Sequence, residues 1–379
     1  MKKLLYGTTA LAAVGLLAGT ASAADRIKMG VGGYWQGFFV YGDEDTGTGE
    51  AAANRRDHKV AREGEIIFNG KTTLDNGIQF GVQVQLEAET CGDQIDESFA
   101  WASGSFGRIN IGSENSAAYL MHYASPAPSG WSHGLNSPNF SHATTGGFTN
   151  FIHTNPVSLS SDSEKITYFT PRLAGFQFGA SYSPERCEEA NVSGGTSCGG
   201  SYAGFQTEND TGDQSEIFEF GINYVNKLGA LDVAVSGSWG QADSENKTAA
   251  AAGAAGSDDR EEWSVGGRVG WAGWTFGAAY RDDNRGRSGD NSRNDFNIGV
   301  RYATGPWGVG VQYANSEQET GTGSQEDEVE AIELGGSYDL GPGVQLQAGI
   351  QYWEAKDDAN VQANEGESTI FFIGTFLAF

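Results

Sequence analysis

Apolar residues recur at every second position from residue 27 to the C-terminus, in segment after segment. Ile27, Met29, Val31, Trp35, Phe39 and Tyr41 alternate with Lys28, Gly30, Gly32, Tyr34 and Gln36. Ile78, Phe80, Val82, Val84 and Leu86 alternate with Gln79, Gly81, Gln83, Gln85 and Glu87. The chain ends on Thr369, Phe371, Ile373, Thr375, Leu377 and Phe379 at the same period. Side chains at a period of two face opposite sides of a strand, so each segment reads as a strand with one apolar face. Helical spacing does not fit these windows. The pattern predicts sixteen strands, over 26–41, 58–73, 78–90, 94–104, 107–113, 163–171, 176–184, 216–226, 230–241, 261–272, 274–282, 294–303, 307–315, 328–339, 344–355 and 367–379.

The connections alternate in length. Short ones include Leu74-Asp75-Asn76-Gly77, Ala272-Gly273, Gly305-Pro306 and Gly341-Pro342-Gly343. Long ones fall near 42–57, 114–162, 185–215, 242–260, 283–293, 316–327 and 356–366, and the one around Cys91 is short for its series. Such alternation means hairpins with two unlike ends. A soluble sandwich has no reason for it, whereas an outer-membrane barrel has tight turns on one side and long loops on the other. In lipid every backbone N–H and C=O must pair internally, so the strands must close on themselves. The outward face must then be apolar while the inward face can be wet. That reconciles membrane spanning with a mean hydropathy of -0.40. The predicted fold is all-β: a transmembrane, antiparallel, up-and-down β-barrel of sixteen strands.

Composition excludes the rivals. No apolar run of helix-spanning length follows the N-terminal stretch. A formal charge of -26 argues against nucleic acid as a partner. Aromatics at 12% argue against disorder. Lys2 and Lys3, the apolar stretch from Leu4 to Ala18 and the small-residue pattern Ala21-Ser22-Ala23 predict a signal peptide over 1–23, leaving a barrel domain over 24–379. Cys187 and Cys198 flank a Gly/Ser-rich stretch and suit a disulfide in an oxidising compartment, with metal binding as the rival reading.

Aromatics gather at segment ends. Tyr41, Tyr182, Trp239, Tyr280, Tyr313 and Tyr352 sit toward the long loops; Phe99, Trp101, Trp271, Trp274, Tyr302 and Trp307 sit beside short turns. Amphipathic rings at two lipid–water interfaces give two such girdles.

Tyr168-Phe169-Thr170-Pro171-Arg172-Leu173-Ala174-Gly175-Phe176, the run Gly104-Ser105-Phe106-Gly107-Arg108-Ile109-Asn110-Ile111-Gly112 and the terminal Phe379, in this order, resemble a Gram-negative general porin of the alphaproteobacterial type. The resemblance covers the whole chain after residue 23. It implies a homotrimer in the outer membrane, a third outer loop folded into the pore, and recognition of Phe379 by the outer-membrane assembly machinery.

Loop 114–162 is the one expected to fold inward. The family's loop is usually acidic; this one has Glu114 and Asp162 at its edges and carries His122, His133, His142 and His153. These His suit polar lining, with a metal site as the alternative. By parity the inward wall carries Glu63, Glu65, Glu87, Glu89 and Asp96 with Lys71 as the main base, then Glu219 and Glu333, with Arg268, Arg281 and Arg301 on three consecutive strands. Acid and base thus fall on different sectors. The acidic excess predicts cation preference. Outer-loop clusters such as Asp258/Asp259/Glu261/Glu262, Asp282/Asp283 and Asp357/Asp358 suit loop-bound Ca²⁺ or Mg²⁺, which would also bridge to lipopolysaccharide phosphates; a solvated face is the alternative. No cofactor motif occurs. The expected function is passive diffusion of small hydrophilic solutes, with a channel selective for one nutrient as the alternative. A barrel-embedded hydrolase would need Ser, His and an acid to meet, and no such set is placed.

Overall fold

The computed structural model describes residues 26–45, 55–88, 95–130, 134–135, 156–186, 214–245, 247, 251–319, 326–358 and 365–379. The predicted signal peptide lies outside them, as do Glu89, His133, His142, His153, Cys91, Cys187 and Cys198.

Sixteen strands form one closed antiparallel barrel. In chain order they are β1 (Lys28–Glu44), β2 (His58–Thr73), β3 (Gln79–Glu87), β4 (Glu97–Gly104), β5 (Gly107–Ser113), β6 (Glu164–Phe169), β7 (Phe176–Glu185) and β8 (Gln214–Leu228). The second half runs through β9 (Leu231–Ser244), β10 (Arg260–Trp271), β11 (Trp274–Asp283), β12 (Arg293–Thr304), β13 (Trp307–Glu319), β14 (Glu326–Gly341), β15 (Val344–Lys356) and β16 (Gly366–Ala378). Each strand pairs with its neighbours in sequence, and β1 closes on β16 with Tyr34 opposite Ala378 and Glu44 opposite Ser368. At the seam the Gly33 amide donates to the Phe379 carbonyl at 2.9 Å, and the Phe379 amide donates back at 3.1 Å. No sheet edge remains, which is what a lipid environment requires.

The two faces separate as the period-two pattern predicts. Met29, Val31, Phe39, Val265, Phe276 and Ile373 point outward and are at least half exposed. Gln36, Asn297, Gln312 and Gln351, of the opposite parity, are buried inside. Outward rings meet in pairs at both ends: Trp274 against Tyr302 at 4.7 Å and Trp307 against Tyr338 at 4.4 Å near the short turns, Tyr182 against Phe218 at 4.9 Å and Trp263 against Tyr280 at 5.3 Å toward the loops.

Two girdle assignments need correction. Phe99 and Trp101 share the inward parity of Glu97 on β4, and Phe99 is buried. The Trp101 indole rests where Gly81 lacks a Cβ, and Arg108 stacks 4.7 Å from its ring centre. Asp96, inward as expected, lies in the bend before the strand rather than within it, so the strand's parity is the opposite of the one Asp96 implies. The interior also holds an apolar patch that alternation does not announce. Phe38, Val40, Ile370, Phe372, Trp353 and Val329 face inward on neighbouring strands, packed with Leu135 of the third loop.

Candidate pore and its constriction

The third loop leaves β5 after Ser113 and returns to β6 before Glu164, its feet joined by Ser113 Oγ donating to the Asp162 carbonyl. A single helical turn, α1 (Ala117–Leu120), follows an N-cap at Ser116 whose Oγ accepts from the Tyr119 amide at 3.3 Å. From there the described residues 121–130 and 134–135 run along the inner wall past successive strands. The Ala117 amide donates to Ser181 Oγ on β7 at 2.8 Å, Asn223 of β8 donates to the Met121 carbonyl at 3.1 Å, and the Tyr123 amide donates to Ser236 Oγ on β9 at 2.9 Å. On β10 Arg268 donates to the carbonyls of Ala124 and Ser125. On β12 Asn297 accepts the Ser125 amide at 2.8 Å, on β13 Gln312 accepts the Leu135 amide at 2.9 Å, and on β14 Glu333 accepts Ser129 Oγ at 2.7 Å.

Glycines make this approach feasible. A Cβ at Gly266 would sit 2.0 Å from the Tyr123 carbonyl; at Gly277, 3.0 Å from the Ala124 carbonyl; at Gly310, 3.0 Å from Pro128 Cα; at Gly335, 2.8 Å from the Ser129 amide. These inward glycines, with Gly179 and Gly221 under Met121, form a track in which loop backbone lies against strand backbone.

The returning segment is held by Glu219. Its carboxylate accepts Ser116 Oγ and the Leu159 amide, both at 3.0 Å, the Ser160 amide at 3.3 Å, and Ser160 Oγ. Val157 and Leu159 pack on Ala118, Ile217 and Ala242 beside it. Lys165, an inward base that parity did not single out, donates to the carbonyls of Glu114, Ser161 and Ser163.

Every described wall residue expected to face inward does so, yet they divide into two groups. Glu219, Arg268, Arg281 and Glu333 lie beneath the loop or within ion pairs and are at most 5% exposed. They fasten the loop or one another instead of lining water. Glu65, Lys71, Glu87, Asp96 and Arg301 are partly exposed, and Arg301 donates to Ser337 at 2.7 Å. Glu63 is buried, accepting from Tyr34 at 2.8 Å and from Gln36. His122 is half-buried on the loop and Asp162 half-buried at its foot. Glu114 is buried: its Oε2 accepts from Asn110 at 2.8 Å and its Oε1 has no partner among the described residues. Burial, reinforced by nearby Glu97, pushes this carboxyl up to about 7 against the pull of Asn110, Lys165 and Arg108.

Single carboxylate oxygens of Glu65, Glu87 and Asp96 lie within 4.8 Å of one another on the acidic sector and have the reach to share a cation. Glu97 stands in the same sector; it accepts from Gln85 and from the Asn115 side chain at 2.9 Å. It shares the parity of Phe99 and Trp101, which the sequence pattern placed toward lipid, so the sequence did not point to it.

A barrel of this topology, with a loop lying on its inner wall, defines a channel. The chain matches the model of the Gram-negative porin family over residues 7–358 and belongs to that family. It is therefore an outer-membrane protein of a family of channels rather than enzymes, one that generally needs no cofactor. Its fold is similar to that of an anion-selective porin from Comamonas acidovorans, at TM-score 0.61 and 16% identity over 93% of this chain and 100% of the other. It is also similar to OmpT of Vibrio cholerae in a trimer form, at TM-score 0.59 and 13% identity over 94% and 100%. A search of curated proteins gave no significant sequence match.

Proposed function

We propose that the chain is a passive diffusion channel for small hydrophilic solutes and that it prefers cations. The observation carrying this reading is the unequal exposure of the two charged sectors. Glu65, Glu87 and Asp96 are partly exposed to the bore, as are the bases Lys71 and Arg301, whereas Arg268 and Lys165 are buried against loop carbonyls and Arg281 is paired with Asp295. Cations held in this way contribute less to the potential along the path, and on the wall the exposed acids outnumber the exposed bases. A reversal potential in a KCl gradient tests this: wild type should favour K⁺, and E65Q/E87Q/D96N should lose most of that preference. Anion preference in wild type would overturn the reading.

Four further readings rest on support from outside the bore. A homotrimer is supported by the trimer form of the Vibrio protein, and conductance steps arriving in threes would establish it. Residues 1–23 are proposed as a signal peptide removed on export, testable by N-terminal sequencing of mature protein. Phe379, outward and 63% exposed at the seam, is proposed as the contact for the assembly machinery; F379A should lower the amount of folded protein in the outer membrane. Lipopolysaccharide is the proposed neighbour of the outer loops.

A further inference from the structure

The outer ends of β10, β11 and β12 bring together charges that the sequence shows only as an acidic surface. Glu262 and Asp283, expected among loop acids, turn inward. Arg260 holds Asp283 with both Nη2 (2.9 Å) and Nε (3.1 Å) and also donates to Glu262. Arg281 donates to Asp295 through Nε at 2.9 Å, and Arg293 Nε lies 3.4 Å from the same carboxylate. Three buried acids, Glu262, Asp283 and Asp295, are thereby matched by three arginines.

Three more arginines reach the same place. A cavity of about 220 Å³ is lined by Arg186, Arg260, Arg285, Arg287 and Arg293, with Asp283 the acid among them. The guanidinium groups of Arg285 and Arg287 have neither an ion pair nor a hydrogen bond among the described residues. Arg285 is held down to about 10 by burial and by the like charges of Arg287 and Arg293. The backbone is arranged to keep it there. Arg285 takes φ 61°, a left-handed conformation that glycine would adopt without strain, while its amide donates to Asp283 at 2.7 Å. The hairpin carrying it is clasped to the preceding loop through Asn284 to the Asp259 carbonyl (2.8 Å) and the Ser288 amide to Ser257 (2.9 Å).

We infer that this cavity is a binding site for a phosphate-class oxyanion, inorganic phosphate or a phosphomonoester, arriving from the external medium. Guanidinium forks match tetrahedral oxyanions in two-point hydrogen bonding, and an anion here would relieve the repulsion among half-buried like charges. The net charge of -26 does not cancel the site, because exposed charges farther away than about 8 Å are largely screened at physiological salt. Asp327 on β14 also acts on Arg285, and Asp258 and Asp259 lie on the clasping loop. Asp259 is engaged by Lys247 at 2.6 Å. Arg260, Arg281 and Arg293 share the inward parity of Ser264 and Asn297, so the site opens toward the mouth of the bore and not toward lipid. A dissolved solute is therefore the ligand source, rather than a lipid A phosphate.

Calorimetric titration of the detergent-purified full-length protein with inorganic phosphate, at fixed ionic strength, tests the assignment. Wild type should show saturable binding. R285Q/R287Q should bind at least about tenfold more weakly, about 1.4 kcal/mol, since neither side chain holds the fold together. If the double variant fails to fold, R287Q alone should still weaken binding several-fold. Equal affinity in variant and wild type, or no saturable binding by wild type, would overturn the proposal. So would an effect of the variant on lipopolysaccharide retention with none on phosphate. Binding in detergent requires no conduction, so failure here leaves the channel reading standing, and a failed conductance assay leaves this one standing.

Discussion

Glu219 and Ser116 lie 103 positions apart in sequence and meet at 3.0 Å inside the barrel. The same carboxylate takes the amides of Leu159 and Ser160, so one strand residue grips both the outgoing and the returning leg of the third loop. E219A would leave two buried N–H groups without a partner, each costing about 1–3 kcal/mol. We expect it to lower the unfolding free energy by at least about 2 kcal/mol and to raise open-channel noise as the loop loosens. S116A, which removes this bond and the N-cap bond from the Tyr119 amide but leaves the Leu159 and Ser160 amides paired, should cost about 1–2 kcal/mol. Wild-type noise and stability in E219A would show that the loop is held elsewhere.

The glycine track gives a steric test. At Gly266 an added methyl would lie 2.0 Å from the Tyr123 carbonyl, an approach that either the loop or the strand must relieve. Strand backbone is fixed by its ladder to β9 and β11, so the loop should move toward the axis. G266A should reduce single-channel conductance and destabilise by about 1–3 kcal/mol. Gly237 is the control: its added methyl meets nothing closer than 3.7 Å, so G237A should conduct like wild type.

The apolar patch inside the bore predicts a third contrast. Phe38 and Phe372 meet edge to face at 5.8 Å on β1 and β16, within a buried apolar cluster. F372A should cost about 3–5 kcal/mol in chemical denaturation, as for large core truncations. F371L, on the lipid-facing side of the same strand, exchanges one apolar surface for another and should cost under about 1.5 kcal/mol.

These residues also mark what sequence reading can reach. The barrel was legible because one face of each strand repeats at a fixed period, and the inward direction of Glu65, Arg268 and Glu333 came from that parity alone. What parity does not carry is depth or cover. It gave the inward direction of Glu219 and Glu333 but not the loop that buries them, because the partners, Leu159 and Ser129, lie far away in sequence. The inward parity also contains Phe38, Val40 and Trp353, which read as exceptions until a loop residue, Leu135, is found against the cluster. The inward glycines carried a signal, recurring at the inward parity of β7, β8 and β10 to β14, but a small residue in a strand does not name what approaches it. On β4, a parity carried over from Asp96, which lies in the bend before the strand, was enough to turn Phe99 and Trp101 to the wrong side.

Glu114 supplies a pH test. Burial pushes its carboxyl from 4.5 up to about 7. Between those values the folded chain keeps a proton that the unfolded chain has released. Stability must therefore fall as pH rises through this window, and the group contributes its full penalty only above about pH 7. The ceiling on that penalty is on the order of 3 kcal/mol. E114Q holds the side chain neutral at every pH, keeps an acceptor for Asn110 and removes the charge without removing volume. Thermal unfolding of wild type and E114Q in detergent should give midpoints that converge near pH 5 and separate toward pH 8, with the variant the more stable. Parallel pH profiles would mean that Glu114 is ionised throughout and that its unpartnered oxygen is reached by water.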